Sequence, residues 1–259
     1  MIFVKPKYNL SGNDIFGKQS VQLFEEEGID TAYILADAKH PSGVALITVD
    51  KNAENCIVVA SGANAALVPA DLQKASKIIE QSAIVLMQLE VPVETVQHVA
   101  AIASAIGSKV ILNPAPACEL PDELLKNITI ITPNKTEAEM LTGIQVTDMA
   151  SAKQAAQILN QKGIETVIIT LGSNGAIILH ESKFLHVPAL MVDAVDTTAA
   201  GDVFNGALAV ALAEGKPVEE AVSFACRASA ISVTRLGAQA SAPYKKEVEA
   251  FQATELSAI

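Results

Sequence analysis

The sequence contains no tryptophan, and aromatic residues make up only 4% of its 259 positions. A core built from it has to be aliphatic, which suits Val/Ile strands covered by Ala/Leu helices. Cations are also scarce: 18 Lys and Arg against 29 Asp and Glu leave a formal charge of −11. Nonspecific nucleic-acid binding needs clustered cations to neutralise phosphates, so that role is excluded. An anionic ligand must be met locally, by helix N-termini, backbone amides, a metal ion or a few placed cations. Cysteine occurs three times, at Cys56, Cys118 and Cys226. Thiols this few and scattered build neither a disulfide framework nor a CxxC metal site, and they read as small buried hydrophobes. His40, His98, His180 and His186 lack ligand spacing and read as structural or surface groups. No apolar run is long enough to span a bilayer and no signal peptide is evident, so no membrane partner and a cytoplasmic location are expected.

What is present is aliphatic bulk, with hydrophobic residues at 50%. The length suits one large α/β domain over 1–259 with a small appendage. Apolar runs at 31–36, 83–88, 109–113, 128–132, 166–170 and 175–179 read as buried strands. Helical patterns lie near 16–27, 71–80, 93–106, 136–142, 150–162, 202–214, 217–234 and 244–253. Strands spaced by helices predict a mostly parallel, doubly wound sheet with helices on both faces and ligands at the carboxyl ends of the strands. One segment breaks the pattern. "GVALITVD", "KNAEN" and "CIVVASG" (43–62) have no helix between strands, so they read as a hairpin, part of a β lid. The first ten residues, with Pro6 among them, show no core strand. The basic pair Lys245-Lys246 sits on a helix expected to be solvated.

Several strand exits carry chemistry. "DTTAAGDVFNGALAVAL" (196–212) passes from tiny residues into an apolar helix. Ala199, Ala200 and Gly201 leave backbone N–H groups unobstructed, and with the helix dipole these make an anion hole. Asp202 falls in the first turn, where a carboxylate is either a cap or a base. "ITLGSNGA" (169–176) is a Gly-rich turn between strands. It lacks the Walker ending, and it suits either a nucleotide or an ordinary hairpin. In "ITPNKTEAEMLTG" (131–143), Asn134 and Glu137 have capping-box spacing and could equally hold water on magnesium. "LNPAPA" (112–117) is a rigid exit on the same edge. "VTRLGAQAS" (233–241) presents carbonyls to a cation. An anion hole, a magnesium site and a carboxylate base together point to phosphoryl transfer.

"DTTAAGDVFNGAL" resembles the signature of the PfkB, or ribokinase-like, family of carbohydrate kinases. "GNDIFGKQ", "GVALITVD", "GANAAL", "MQLE", "NPAPA", "LPDELL", "ITPNKTEAEMLTG", "ITLGSNGA" and "VTRLGAQAS" follow in family order, so the resemblance runs from about Gly12 to about Phe251. It is strongest toward the ribose-phosphorylating branch. The resemblance implies Asp202 as the base that deprotonates a sugar's primary hydroxyl, D-ribose at O5 first, for attack on ATP. Backbone amides of Ala199 to Asp202 would stabilise the transferring phosphoryl group. Asn134 and Glu137 match the family's NxxE motif for Mg2+ and phosphates, and Thr170, Gly172, Ser173, Asn174 and Gly175 match its nucleotide loop. Glu90 matches a residue near the sugar, and Cys226 a position near adenine. Asp196, Thr198, Ser232, Arg235, Gly237 and Ser241 match the ligands of K+, several through carbonyls. The resemblance also implies that the family's N-terminal strand, part of the lid and the "GGxGxN" sugar loop are missing from this chain. A homodimer through the lid remains open. So do a kinase for another sugar or nucleoside, and a weakly active or inactive nucleotide-binding remnant.

Overall fold

The computed structural model describes residues 7, 9–49 and 55–251. Positions 51–54 of the turn expected at 51–55, the Cys56 side chain, Pro6 and positions 252–253 of the last expected helix lie outside the described residues. Six strands form the central sheet: β5 (Ile84–Met87), β6 (Lys109–Leu112), β7 (Ile130–Ile131), β8 (Thr166–Thr170), β9 (Ala176–His180) and β10 (Lys183–Val187), in spatial order β10-β9-β8-β7-β6-β5. β5 to β8 run parallel, and β8, β9 and β10 form an antiparallel meander at one edge.

Strand alternation divides the core in two. Val167, Ile169 and Leu171 of β8 and its exit join a cluster with α3 (Val93–Ala105) and α6 (Met149–Gln161). Ile168 joins the opposite cluster, with α7 (Ala200–Ala213) and α8 (Val218–Ser232). Both faces of the sheet are therefore covered by helices, as the Val/Ile runs predict. α7 and α8 pack against each other, and Ala211, Ala221 and Ala225 are fully buried, so small side chains let the helices approach. Among the described residues no helix is long and apolar enough to cross a membrane.

Three expectations change. The run 31–36 is not a strand of the central sheet. Asp30 accepts from Ala32 N and Ile34 N bonds to Thr31 O, so a turn consumes its first half. Its remainder, β2 (Ile34–Asp37), pairs among the described residues with β1 (Asn9–Gly12), in a separate parallel ribbon. β1 itself is illegible because Asn, Leu, Ser and Gly carry no strand pattern. The helix expected at 71–80 is split into a 3-10 segment, Pro69–Lys74, and a short helix α2, Ser76–Glu80. The Ser76 hydroxyl donates to Gln73 O at the break, a local bond that competes with the helical ladder.

The hairpin forms as expected. β3 (Val44–Val49) and β4 (Asn55–Ala60) pair antiparallel from Val44 opposite Ala60 to Val49 opposite Asn55. They stand apart from both other sheets.

Candidate active site

The carboxyl ends of β7 and β8 and the N-terminus of α7 converge. The start of α7 is unusual. Its N-cap, Ala199, adopts φ 58 and ψ 12, a left-handed conformation that costs an alanine about 1–2 kcal/mol, and it offers no side-chain cap. Such an outlier persists only where its surroundings over-determine it. Those surroundings are visible. Asp196 Oδ1 accepts from Thr198 N at 2.9 Å, Ser229 Oγ donates to Ala200 O at 3.0 Å, and Asn205 Nδ2 donates to Gly201 O at 2.9 Å. Ala200 N reaches Thr197 O at 3.3 Å, whereas Ala199, Gly201 and Asp202 have no main-chain acceptor for their N–H groups among the described residues.

Asp202 is open to solvent, and no described residue hydrogen-bonds its carboxylate, so its role is not that of a cap. The surrounding walls still exclude enough water to raise its pKa, and Glu90 adds to the rise while Lys7 opposes it. Lys7 is the mirror case: desolvation lowers its pKa, and Glu90 and Asp202 counter that. Lys7 also lies 3.9 Å over the Phe24 ring. No motif flags Lys7, and the only signal for it is three-dimensional.

Asn134 and Glu137 realise the capping box of α5 (Lys135–Thr142). Glu137 Oε2 accepts from Asn134 N, Oε1 accepts from Asn134 Nδ2, and Glu137 N donates to Asn134 Oδ1, all at 2.8–2.9 Å. Burial raises the Glu137 pKa and the charge of Asp202 raises it further, against the stabilising Asn134 amide. A buried carboxylate facing a second one suits a nearby divalent cation. Each Glu137 oxygen keeps a lone pair, which suits accepting from a water in a cation's hydration shell. No cluster of three His, Cys, Asp or Glu side chains that could hold a metal occurs among the described residues.

Thr170 N bonds to Pro133 O, and Asn134 bridges to Thr170, so the expected nucleotide loop lies beside the NxxE segment. The loop is a 3-10 turn, Gly172–Asn174, closed by Leu171 N to Gly175 O at 2.7 Å and Gly175 N to Gly172 O at 2.9 Å. Gly172, Ser173 and Asn174 are exposed to an incoming ligand. A Cβ at Gly175, whose φ is 83, would stand 2.0 Å from Val187 O, so the turn is pressed onto the exit of β10. His186, read from the sequence as a structural or surface group, is exposed and braces this turn through Nε2 and Asn174 O at 2.8 Å.

Of the expected potassium ligands, Thr198 and Gly237 bond to Asp196, which is buried. Its Oδ2 accepts from Gly237 N at 2.9 Å, and the bonds from Thr198 and Gly237 hold its pKa below the usual carboxylate value. It is an ionised, buried carboxylate with no cationic side chain paired to it among the described residues, which suits a monovalent cation. Thr198, Ser232 and Ser241 are buried, and the Ser232 and Ser241 hydroxyls donate to Ser229 O and Ala238 O. The Arg235 side chain turns to Glu247 at 2.6 Å, so only its carbonyl could serve.

Cys226 is partly buried on α8, its thiol pushed up to about 11 by burial, and it acts as an inert hydrophobe. Lys245 is not simply solvated: it pairs with Glu214 at the end of α7 and with Glu249.

Residues 9–245 match the family described as pfkB family carbohydrate kinase. The chain is 48% identical over 240 residues to the ribokinase of Haemophilus influenzae, covering 93% of this chain and 78% of that protein. It is 38% identical over 233 residues to the deoxyribokinase of Salmonella typhi, covering 90% and 76%. It superposes on the Arabidopsis thaliana ribokinase complexed with ribose and ATP with a TM-score of 0.89 at 30% identity, covering 95% and 81%.

Proposed function

This chain belongs to the pfkB family of carbohydrate kinases, and on that premise we propose that it transfers the γ-phosphate of ATP to O5 of D-ribose, with Asp202 as base. The observation that carries the reading is the first turn of α7. There a strained Ala199 holds free backbone amides beside a carboxylate that no described residue bonds and whose basicity is raised by partial desolvation from the surrounding walls. In the reaction the carboxylate of Asp202 takes the hydroxyl proton as the oxygen's electron pair bonds to the γ-phosphorus. The bond from that phosphorus to the β,γ-bridging oxygen breaks, and ADP leaves with the electron pair. The amides of Ala199, Gly201 and Asp202 face the negative charge carried by the equatorial oxygens. Glu90 and Lys7 set the charge around the base.

Thr170 to Gly175 would seat the nucleotide, and Asn134 and Glu137 would hold the water shell of Mg2+. Bound on the phosphates, Mg2+ supplies charge neutralisation. Asp196, with Thr198, Ser232, Arg235, Gly237 and Ser241, would hold K+ beside the anion hole. The hairpin is read as part of a lid on a single domain, and as the contact through which two copies pair. A cytoplasmic location belongs to the same reading.

The test is ADP release with MgATP and D-ribose, with 2-deoxyribose as a second arm. Asp202→Asn is expected to lower turnover by 10²-fold or more, within the range of a general base, while calorimetry shows ATP binding retained. Turnover retained in Asp202→Asn removes the base assignment. A preference for 2-deoxyribose replaces the proposed acceptor.

A further inference from the structure

A buried polar pair joins the two halves of this site. Thr132 directly follows β7 and lies two residues before Asn134. Its hydroxyl donates to Asn205 Oδ1 at 2.7 Å, and Leu112 O, at 3.3 Å, is a poorer acceptor. Asn205 Nδ2 donates to Gly201 O at 2.9 Å. The amide orientation is fixed by these partners, because Gly201 O can only accept and the nitrogen must face it. Both side chains are 3% exposed. Asn205 lies between Phe204 and Leu208, both buried, on the face of α7 that covers the sheet. A leucine would fill that position for packing alone, so the pair serves something other than core volume. It ties the carbonyl of Gly201, inside the anion-hole turn, to the strand that leads into Asn134 and Glu137.

We propose that Thr132 and Asn205 are positioning residues that set the anion-hole turn in register with the NxxE segment, so that backbone amides and phosphate-side carboxylate address the same phosphoryl group. The carbonyl of Ala200 is held from the other side by Ser229, so the turn is clamped at two successive carbonyls. The left-handed Ala199 is what such a clamp has to maintain. This rests on reading the first turn of α7 as the phosphoryl-holding element, and does not depend on Asp202 being the base or on which sugar is the acceptor.

The test replaces the pair by apolar isosteres, Thr132→Val with Asn205→Leu. Removing both partners of a buried hydrogen bond together is close to neutral for stability. Calorimetry without sugar compares MgADP with MgADP plus aluminium fluoride, a mimic of the transferring phosphoryl group. The unaltered protein is expected to bind the fluoroaluminate complex more tightly than MgADP. The double variant is expected to lose about tenfold or more of that gain while MgADP affinity and Tm stay near their original values. Thr132→Ser, which keeps the hydroxyl, is expected to retain it. Three results overturn the proposal: a full gain in the folded double variant, an equal loss of MgADP affinity, or no gain in the unaltered protein. If the double variant does not fold, Thr132→Val alone gives the same comparison. Asp202→Asn in the turnover assay tests the base separately, so the two failures are distinguishable.

Discussion

At the scale of single residues, the site is a balance of charges rather than a list of ligands. As the proposed base, Asp202 would work deprotonated, so turnover is expected to fall as pH drops through its raised pKa. Glu90 contributes to that rise and Lys7 opposes it. Lys7→Met removes the opposing charge, so the acid limb of the kcat profile is expected to move to higher pH. Glu90→Gln removes a negative neighbour, so the limb is expected to move to lower pH, whatever it does to the KM for sugar. A pH series of kcat on the two variants checks the signs, and limbs that stay in place in both variants would show that neither charge acts on the base. The sequence exposed one of these partners and hid the other. Glu90 sits in a recognisable "MQLE" context at the end of β5. Lys7 precedes a segment with no pattern, and only the fold brings it to Asp202. Thr132 and Asn205 were equally silent, because a buried threonine and a mid-helix asparagine announce nothing until their partners, 73 positions apart, are seen to meet.

At the scale of elements, legibility followed the source of each element's order. β6, β8, α3 and α7 are set by long apolar runs, and their bounds differ little from expectation. β10 is different. It is made by the turn before it, where Glu181 and Ser182 take φ 47 and 62 without the Asn or Gly that marks such turns. The proposed nucleotide turn depends on geometry of the same kind, but there glycine supplies it. Gly175 combines φ 83 with a main-chain neighbour 2.0 Å from where a Cβ would stand. Gly175→Ala is expected to cost about 1–3 kcal/mol from backbone strain, and roughly 3–10 °C in Tm. Because the turn also meets His186 through Asn174 O, ATP affinity is expected to fall with it. Thermal melts and ATP calorimetry check both. An unchanged Tm would mean that β10 yields easily and that the turn is less pressed than it looks.

At the scale of the whole molecule, the hairpin is the part whose partners are not accounted for within the described residues. Leu46 and Val58 stand opposite each other in the register and are 68% and 63% exposed. Val59, on the other face, is 53% exposed. An isolated two-stranded hairpin is marginal in water, and apolar residues on both its faces make it a site of association. The rest of the surface argues the other way, since a net charge of −11 keeps copies apart. Self-association should therefore be confined to the hairpin and strengthened by salt, which screens the repulsion without weakening apolar contact. Sedimentation at increasing protein concentration is expected to show a dimer that gains population at high salt. Leu46→Glu with Val58→Lys places opposite charges across the strands, which preserves their pairing while removing the apolar face. That variant is expected to remain monomeric with little change in Tm. A dimer that survives both substitutions would move the interface off the hairpin, and with it the reading of this element as a lid shared between two copies.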